Sequence, residues 1–201
     1  MKTLIIIPSR LSATRLPGKP LIKINGLSII SHVFKKAVDA KIGEVFVAAE
    51  DQEIVDDVKK NGGQAILTSN KHQSGTDRVY EAFKKLNKPN IEMIINLQGD
   101  EPLMNLQDIR NLHNKMINTN SMIGTLASKI SDKNLYVDEN VVKVIAEKKL
   151  ENFSFPKALD FFRKSSEIYE NIYHHLGIYC FQKETLEKFI SLDQTNNEKK
   201  K

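Results

Sequence analysis

Leu4-Ile5-Ile6-Ile7-Pro8 opens the chain with four apolar residues and no polar alternation, the pattern of a strand buried on both faces. A loop dense in Arg, Ser, Pro and Gly follows, from Ser9 to Pro20. Residues 28–41 then place Ile29, Ile30, Val33, Ala37 and Val38 at helical spacing. Glu44–Ala49 reads as a second strand, and Asp51–Lys60 as a helix with Ile54, Val55 and Val58 on one side. Asn61-Gly62-Gly63 stops that helix, and Gln64–Leu67 makes a brief third strand. Thr76–Leu86 is another amphipathic helix, Ile91–Leu97 a fourth strand, and Leu106–Ile117 and Met122–Ala127 continue as helix and strand. Strands alternating with helices through short connections predict an α/β layer on a mostly parallel sheet. Beyond residue 130 the rhythm breaks. Val141–Ala146 and His175–Phe181 read as strands, and the stretch between them as aromatic and irregular. The expected organisation is a single domain over 1–201, with an α/β part at 1–130, an appended lobe at 131–191 and a disordered tail at 192–201.

The chain is 40% hydrophobic and 27% charged over 201 residues, too apolar for disorder and long enough for a real core. Its formal net charge is +5, but Lys199–Lys201 supply three of those charges. The rest is close to neutral, which leaves no general nucleic-acid footprint. An RNA binder would interleave aromatic and basic residues on a sheet, and no such run is present. One cysteine, Cys180, forbids an internal disulfide and fits a reducing compartment. No apolar run reaches the roughly 18 residues of a membrane helix, and Leu4–Ile7 is too short for a signal-peptide core. The expectation is a soluble cytoplasmic protein with no membrane insertion and no nucleic-acid partner.

In parallel α/β sheets ligands bind beyond the carboxyl ends of the strands. Two of the strands end in functional groups. The first runs into a loop that offers Arg10, Arg15 and Lys19, spaced by Ser12, Thr14 and Gly18. Three cations with accessible backbone N–H groups suit a polyphosphate; a plain solvated basic loop is the competing reading. Gly18-Lys19 is followed by Pro20, so the loop is not a Walker A motif, and no G-x-G-x-x-G occurs anywhere. The fourth strand delivers Gln98-Gly99-Asp100-Glu101-Pro102. A carboxylate straight after a buried strand, beside a glycine, is a good place to hold Mg²⁺ against a phosphate; a turn or helix-cap role is equally open. A third cluster is His72-Gln73-Ser74-Gly75-Thr76-Asp77-Arg78, where Ser74 or Thr76 can cap the helix that follows. The fourth, His174-His175-Leu176-Gly177-Ile178-Tyr179, puts adjacent histidines on opposite strand faces, so they cannot share one metal. Cys180 has no activating neighbour in sequence and reads as a small core residue.

Together these clusters resemble the Kdo-type nucleotide-sugar cytidylyltransferases, the 3-deoxy-manno-octulosonate cytidylyltransferase (CMP-Kdo synthetase) family. The matching stretches are I-I-P-S-R-L-S-A-T-R-L-P-G-K-P-L from Ile6, H-Q-S-G-T-D-R from His72, N-L-Q-G-D-E-P from Asn96, N-V-V-K-V from Asn140 and H-H-L-G-I-Y from His174. The resemblance implies a nucleotide-diphospho-sugar-transferase-like three-layer α/β/α fold with a mostly parallel sheet and a small appended lobe. It implies transfer of CMP from CTP to the anomeric 2-hydroxyl of Kdo, with release of pyrophosphate, for lipopolysaccharide biosynthesis. Residues 1–130 would then bind nucleotide, and 131–191 would bind sugar and form a homodimer. Arg10, Arg15 and Lys19 would hold the CTP phosphates, while Ser74, Gly75, Thr76 and Arg78 build the nucleotide pocket. Asp100 would bind Mg²⁺ and act with Arg10 and Lys19 in catalysis. Gln98, His175 and Tyr179 would face the sugar acid.

Two departures from the family pattern stand out. Pro156-Lys157-Ala158 falls where the family has Ser-Arg-Ala, so Lys157 keeps a charge toward the sugar carboxylate without the guanidinium fork. The family also continues into a helix rich in Glu, Leu and Arg and a Gly-Val-Asp-Thr turn with a second metal-binding aspartate. The sequence reaches Lys201 before either feature, and the expectation is a C-terminally truncated chain, poorly soluble and forming little or no CMP-Kdo. The alternatives are an inactive CTP- or sugar-binding remnant, and an enzyme for 8-amino-Kdo, which presents the same carboxylate and anomeric centre.

Overall fold

All four side chains of Leu4–Ile7 are sealed from solvent, and everything around them is arranged to keep them so. In the computed structural model, which describes residues 1–12, 16–132, 134–151, 154–164 and 170–193, this run forms the middle of β1 (Thr3–Ser9). The chain continues through β2 (Lys23–Ile24), β3 (Leu27–Ser28), α1 (Ile29–Asp39), β4 (Glu44–Ala49), α2 (Gln52–Lys60), β5 (Ala65–Leu67) and α3 (Gly75–Leu86). There follow β6 (Met93–Asn96), α4 (Leu106–Thr119), β7 (Ile123–Ser128), α5 (Asn134–Val137), β8 (Lys143–Ala146), β9 (Ala158–Phe162), β10 (Ile172–Gln182) and α6 (Lys183–Ile190). These residues group into two compact units: Met1–Gly124 with the segment from Tyr179 onward, and Thr125–Ile178.

The first unit carries strands in the order β5-β4-β1-β6-β10. Its first three pairings are parallel, and β10 joins β6 antiparallel with Tyr179 opposite Asn96. Leu4 and Ile6, with Phe46, Ala48 and Ile94, face Val79, Ala82 and Phe83 of α3 and Leu186 of α6. The alternate residues Ile5 and Ile7 point to the other face, where α1, α2 and α4 pack. This is a three-layer α/β fold with a mostly parallel sheet. The sequence signals act locally as their chemistry demands. Ser28 caps α1 by accepting from the Ser31 N–H. Asn25-Gly26 turns the β2–β3 hairpin with both residues at positive φ, as a two-residue hairpin loop requires.

In the second unit β8 pairs antiparallel with β10 over Ile172–His174 on one side and with β9 on the other. Val144, Ala146 and Tyr173 form its small core, flanked by Ala127 and Leu150. Lys143 is fully buried. Its Nζ donates to the carbonyls of Asp138 at 2.6 Å and Arg163 at 2.8 Å, and burial lowers its pKa. The segment expected to be irregular contains β9: Ala158-Leu159-Asp160-Phe161-Phe162 lacks apolar–polar alternation because most of it is exposed on an edge strand. Among the described residues no helix is long and apolar enough to cross a membrane. Residues 194–201, which include most of the expected tail, lie outside the described ones.

Phe181 tests how far the returning strand completes the first core. It is 1% exposed and packs with Leu4, Ile94 and Leu186. Phe181→Ala is expected to destabilise the protein by about 3–5 kcal/mol, read as a shifted denaturant midpoint.

Candidate active site

Three loops meet beyond the carboxyl ends of β1, β5 and β6, around a cavity of about 550 Å³. The loop after β1 is held by β4. The Leu11 N–H donates to Asp51 Oδ2 and the Ser12 hydroxyl to Glu50 Oε1, both at 2.8 Å. The Gly18 N–H closes the loop on the Leu11 carbonyl at 3.0 Å. Gly18 sits at φ 73, a conformation glycine adopts without penalty, and it starts the single 3₁₀ turn Lys19–Leu21, whose Pro20 is buried. Arg10 and Lys19 both line the cavity. Arg15 lies outside the described residues.

The loop after β6 approaches β1 closely. A Cβ on Gly99 would lie 2.9 Å from the Pro8 carbonyl oxygen and 3.1 Å from Ile30 Cδ1. This contact carries Gln98 and Asp100 to the cavity wall. Asp100 Oδ2 accepts from Lys19 Nζ at 2.8 Å, with both side chains partly exposed. In Glu101 burial, and then the neighbouring Asp100 charge, raise the carboxyl pKa. Asp100 with Glu101 offers the one or two carboxylates by which Mg²⁺ is usually held together with substrate phosphates. Among the described residues there is no cluster of three metal-ligating side chains.

The third loop leads into α3. Ser74 caps it, and Asp77 returns a bond to the Ser74 N–H at 3.1 Å, completing a capping box. Ser74 and Gly75 line the cavity. Thr76 instead accepts from Asn96 Nδ2 at 3.3 Å. Arg78, expected to serve the nucleotide, forms part of the wall with its guanidinium turned to protein partners. It donates to Thr68 Oγ1 at 2.8 Å, to the Ser69 carbonyl at 3.1 Å and to the Glu50 carboxylate. One turn on, Glu81 accepts from the Ser69 N–H at 2.9 Å and pairs with His72 and Lys85. Burial opposes ionisation of Glu81, but these donors together bring its pKa down to about 2.

Composition and spacing did not single out Glu50, Glu81 or Ser9. Ser9 Oγ is buried beside the cavity and has no hydrogen-bond partner among the described residues. Glu50 follows a buried strand directly, the same signal that picked out Asp100.

Tyr179 belongs to the first unit. It is half-buried on the α3 side, 6.0 Å from the Phe181 ring, and burial raises its pKa. Next to it Cys180 is buried, which pushes its thiol up to about 12. In the second unit Lys157 is exposed and its carbonyl accepts from the Glu147 N–H at 2.9 Å. His175 Nε2 meets Thr125 Oγ1 at 2.9 Å, with the Phe161 ring edge-on at 5.0 Å. Burial, then the adjacent His174, lowers the His175 pKa to about 4, so the imidazole is neutral at pH 7.

The cytidylyltransferase family profile matches residues 4–201. A 3-deoxy-manno-octulosonate cytidylyltransferase of Thermodesulfovibrio yellowstonii is 39% identical, over 98% of this chain and 82% of the relative. This chain belongs to the 3-deoxy-manno-octulosonate cytidylyltransferase family. A Nitrobacter winogradskyi member is 40% identical over 95% of this chain and 75% of its own length. A solved structure of CMP:2-keto-3-deoxy-manno-octonic acid synthetase complexed with CTP superposes with a TM-score of 0.85 at 33% identity, covering all of this chain and 82% of that one. A Leptospira borgpetersenii cytidylyltransferase at 21% identity and a TM-score of 0.61 shares the fold.

Gly99→Ala is expected to cost about 1–3 kcal/mol, because the added methyl meets backbone at Pro8; chemical denaturation measures it. His175 generates a pH dependence. Its folded pKa lies below its ordinary value of 6.5, so the unfolded chain takes up the proton first as pH falls. The stability this group allows at neutral pH is lost progressively from pH 6.5 down to about 4. His175→Asn is expected to flatten that part of the stability–pH curve, measured by urea unfolding at each pH.

Proposed function

We propose that the chain transfers CMP from CTP to the anomeric 2-hydroxyl of Kdo, giving CMP-Kdo and pyrophosphate for lipopolysaccharide biosynthesis. The observation that carries this reading is the convergence of Arg10, Lys19 and Asp100 on one cavity at the strand carboxyl ends of a family member. In the reaction the Kdo hydroxyl oxygen bonds to the α-phosphorus and loses its proton. The bond from that phosphorus to the bridging oxygen breaks, and pyrophosphate leaves with the electron pair. Kdo carries a carboxylate and CTP a triphosphate, so their approach is opposed by like charge. Arg10 and Lys19 offset that repulsion and fix the phosphates in line. The residues at Asp100 fit a Mg²⁺ ion, which when bound would add neutralising charge on the phosphate oxygens. Lys19 Nζ lies 2.8 Å from Asp100 Oδ2, so the cation for the phosphates and the acid for the metal stand side by side.

Ser74, Gly75 and Thr76 serve the nucleotide in this reading, with Arg78 shaping the wall and Arg15 joining the phosphate set. On the first unit Gln98 and Tyr179 serve the sugar acid. On the second, the neutral His175 is a hydrogen-bonding group for it rather than a cation, and Lys157 is exposed. The working form is a homodimer built through the Thr125–Ile178 unit, supported by Leu159 and Phe161 exposed on edge strand β9. A single, buried, unactivated cysteine suits the cytoplasm.

Incubation with CTP, Kdo and Mg²⁺ is expected to release pyrophosphate and form CMP-Kdo. Arg10→Ala and Lys19→Ala are expected to weaken CTP binding by about 1.5–3 kcal/mol each by calorimetry. Asp100→Asn should remove the strengthening of CTP binding by Mg²⁺. No pyrophosphate release, or unchanged CTP affinity in both cation variants, overturns the assignment.

A further inference from the structure

Glu50 touches both of the loops that carry the nucleotide site. One carboxylate oxygen accepts the Ser12 hydroxyl at 2.8 Å, inside the loop that carries Arg10 and Lys19. The other pairs with Arg78, whose remaining donors hold Thr68 and Ser69 at the start of the loop ending in Ser74. Both members of that ion pair are buried, their side chains 3% and 10% exposed. The pair is therefore weakly screened and its geometry is narrow. The neighbouring backbone reinforces the grip: the Glu50 N–H donates to the Ser9 carbonyl at 3.4 Å and Asp51 takes the Leu11 N–H at 2.8 Å. Residues 9–12 are thus fastened at three points, Ser9 before Arg10 and Leu11 and Ser12 after it.

We propose that Glu50 is a positioning residue for the triphosphate. Through Ser12 and Arg78 it fixes the separation of the basic loop from the α3 loop and so presets where Arg10 meets phosphate. An exposed arginine on a flexible loop must be ordered on binding, at a cost in conformational entropy. A loop already fastened to a buried carboxylate has paid most of that cost on folding. The inference rests on the CTP-dependent reading of this site.

Ser12→Ala tests it without uncovering the buried ion pair. The expected result is three- to tenfold weaker CTP binding by calorimetry, an unchanged melting temperature and an unchanged KM for Kdo. Ser12→Thr, which keeps the hydroxyl, should restore affinity. In Glu50→Ala, which removes the acceptor, the further change Ser12→Ala should add nothing, because the Ser12 hydroxyl acts only through that carboxylate. Wild-type CTP affinity in Ser12→Ala, or losses that multiply in the double variant, would overturn the proposal. The Ser12 and Glu50 effects on CTP affinity without CMP-Kdo formation by the wild type would uphold the joint and overturn the assigned reaction. No CTP binding by the wild type would overturn both.

Discussion

The structure depends on one constraint, that the side chains of β1 have no route to water on either face. Four consecutive residues with no exposure need two separate layers to cover them. The covering elements must come from distant parts of the chain, since a strand cannot fold helices onto both its own faces through short loops alone. α3 and α6 supply one layer and α1, α2 and α4 the other. Parallel pairing of β4 and β6 against β1 then follows from helical crossovers. It sets the carboxyl ends of all three strands at one edge, and the irregular, polar segments of the sequence collect there because strand and helix have consumed the apolar ones.

What the edge holds is an arrangement of opposed charges. Lysine comes from the loop after β1, arginine from α3 and acid from the loops after β4 and β6, and two of these acids, Glu50 and Asp100, each pair with a cation. The partnerships differ in depth. Arg78–Glu50 is sealed, whereas Lys19–Asp100 is open to solvent. A sealed pair resists exchange with ligand ions, while an exposed one is weak enough to exchange. The same ion-pair chemistry thereby serves as framework at one position and as a replaceable contact at another.

The helices and inner strands were legible because their apolar spacing is strong: Glu44–Ala49 matches β4 residue for residue, and α1, α3 and α4 differ from their expected spans by at most two residues at an end. β9 was not legible, because an edge strand with exposed Leu159 and Phe161 has no buried face to impose alternation. Motif residues that project from strand ends, such as Arg10 and Asp100, stood out by placement. Glu81 did not, since a carboxylate on a helix that clamps a loop reads in sequence like any surface acid, and Glu50, although it follows β4 directly, lies in none of the motifs. Arg78 was read as a ligand group because nothing in the sequence reveals that Glu50, Thr68 and Ser69 already occupy its guanidinium.

The first unit is discontinuous in sequence, opened by Met1–Gly124 and completed only from Tyr179 onward. During synthesis the face of the sheet bearing Leu4, Ile6 and Ile94 therefore waits for Phe181 and Leu186. About 60 further residues must first be made after Gly124, some 3–12 s at typical translation rates. For that interval the nascent chain shows an unpaired edge at β6 and an apolar surface half covered, the kind of surface on which chaperones act. Demand for such help on the ribosome is thus written into the order in which this chain supplies its strands.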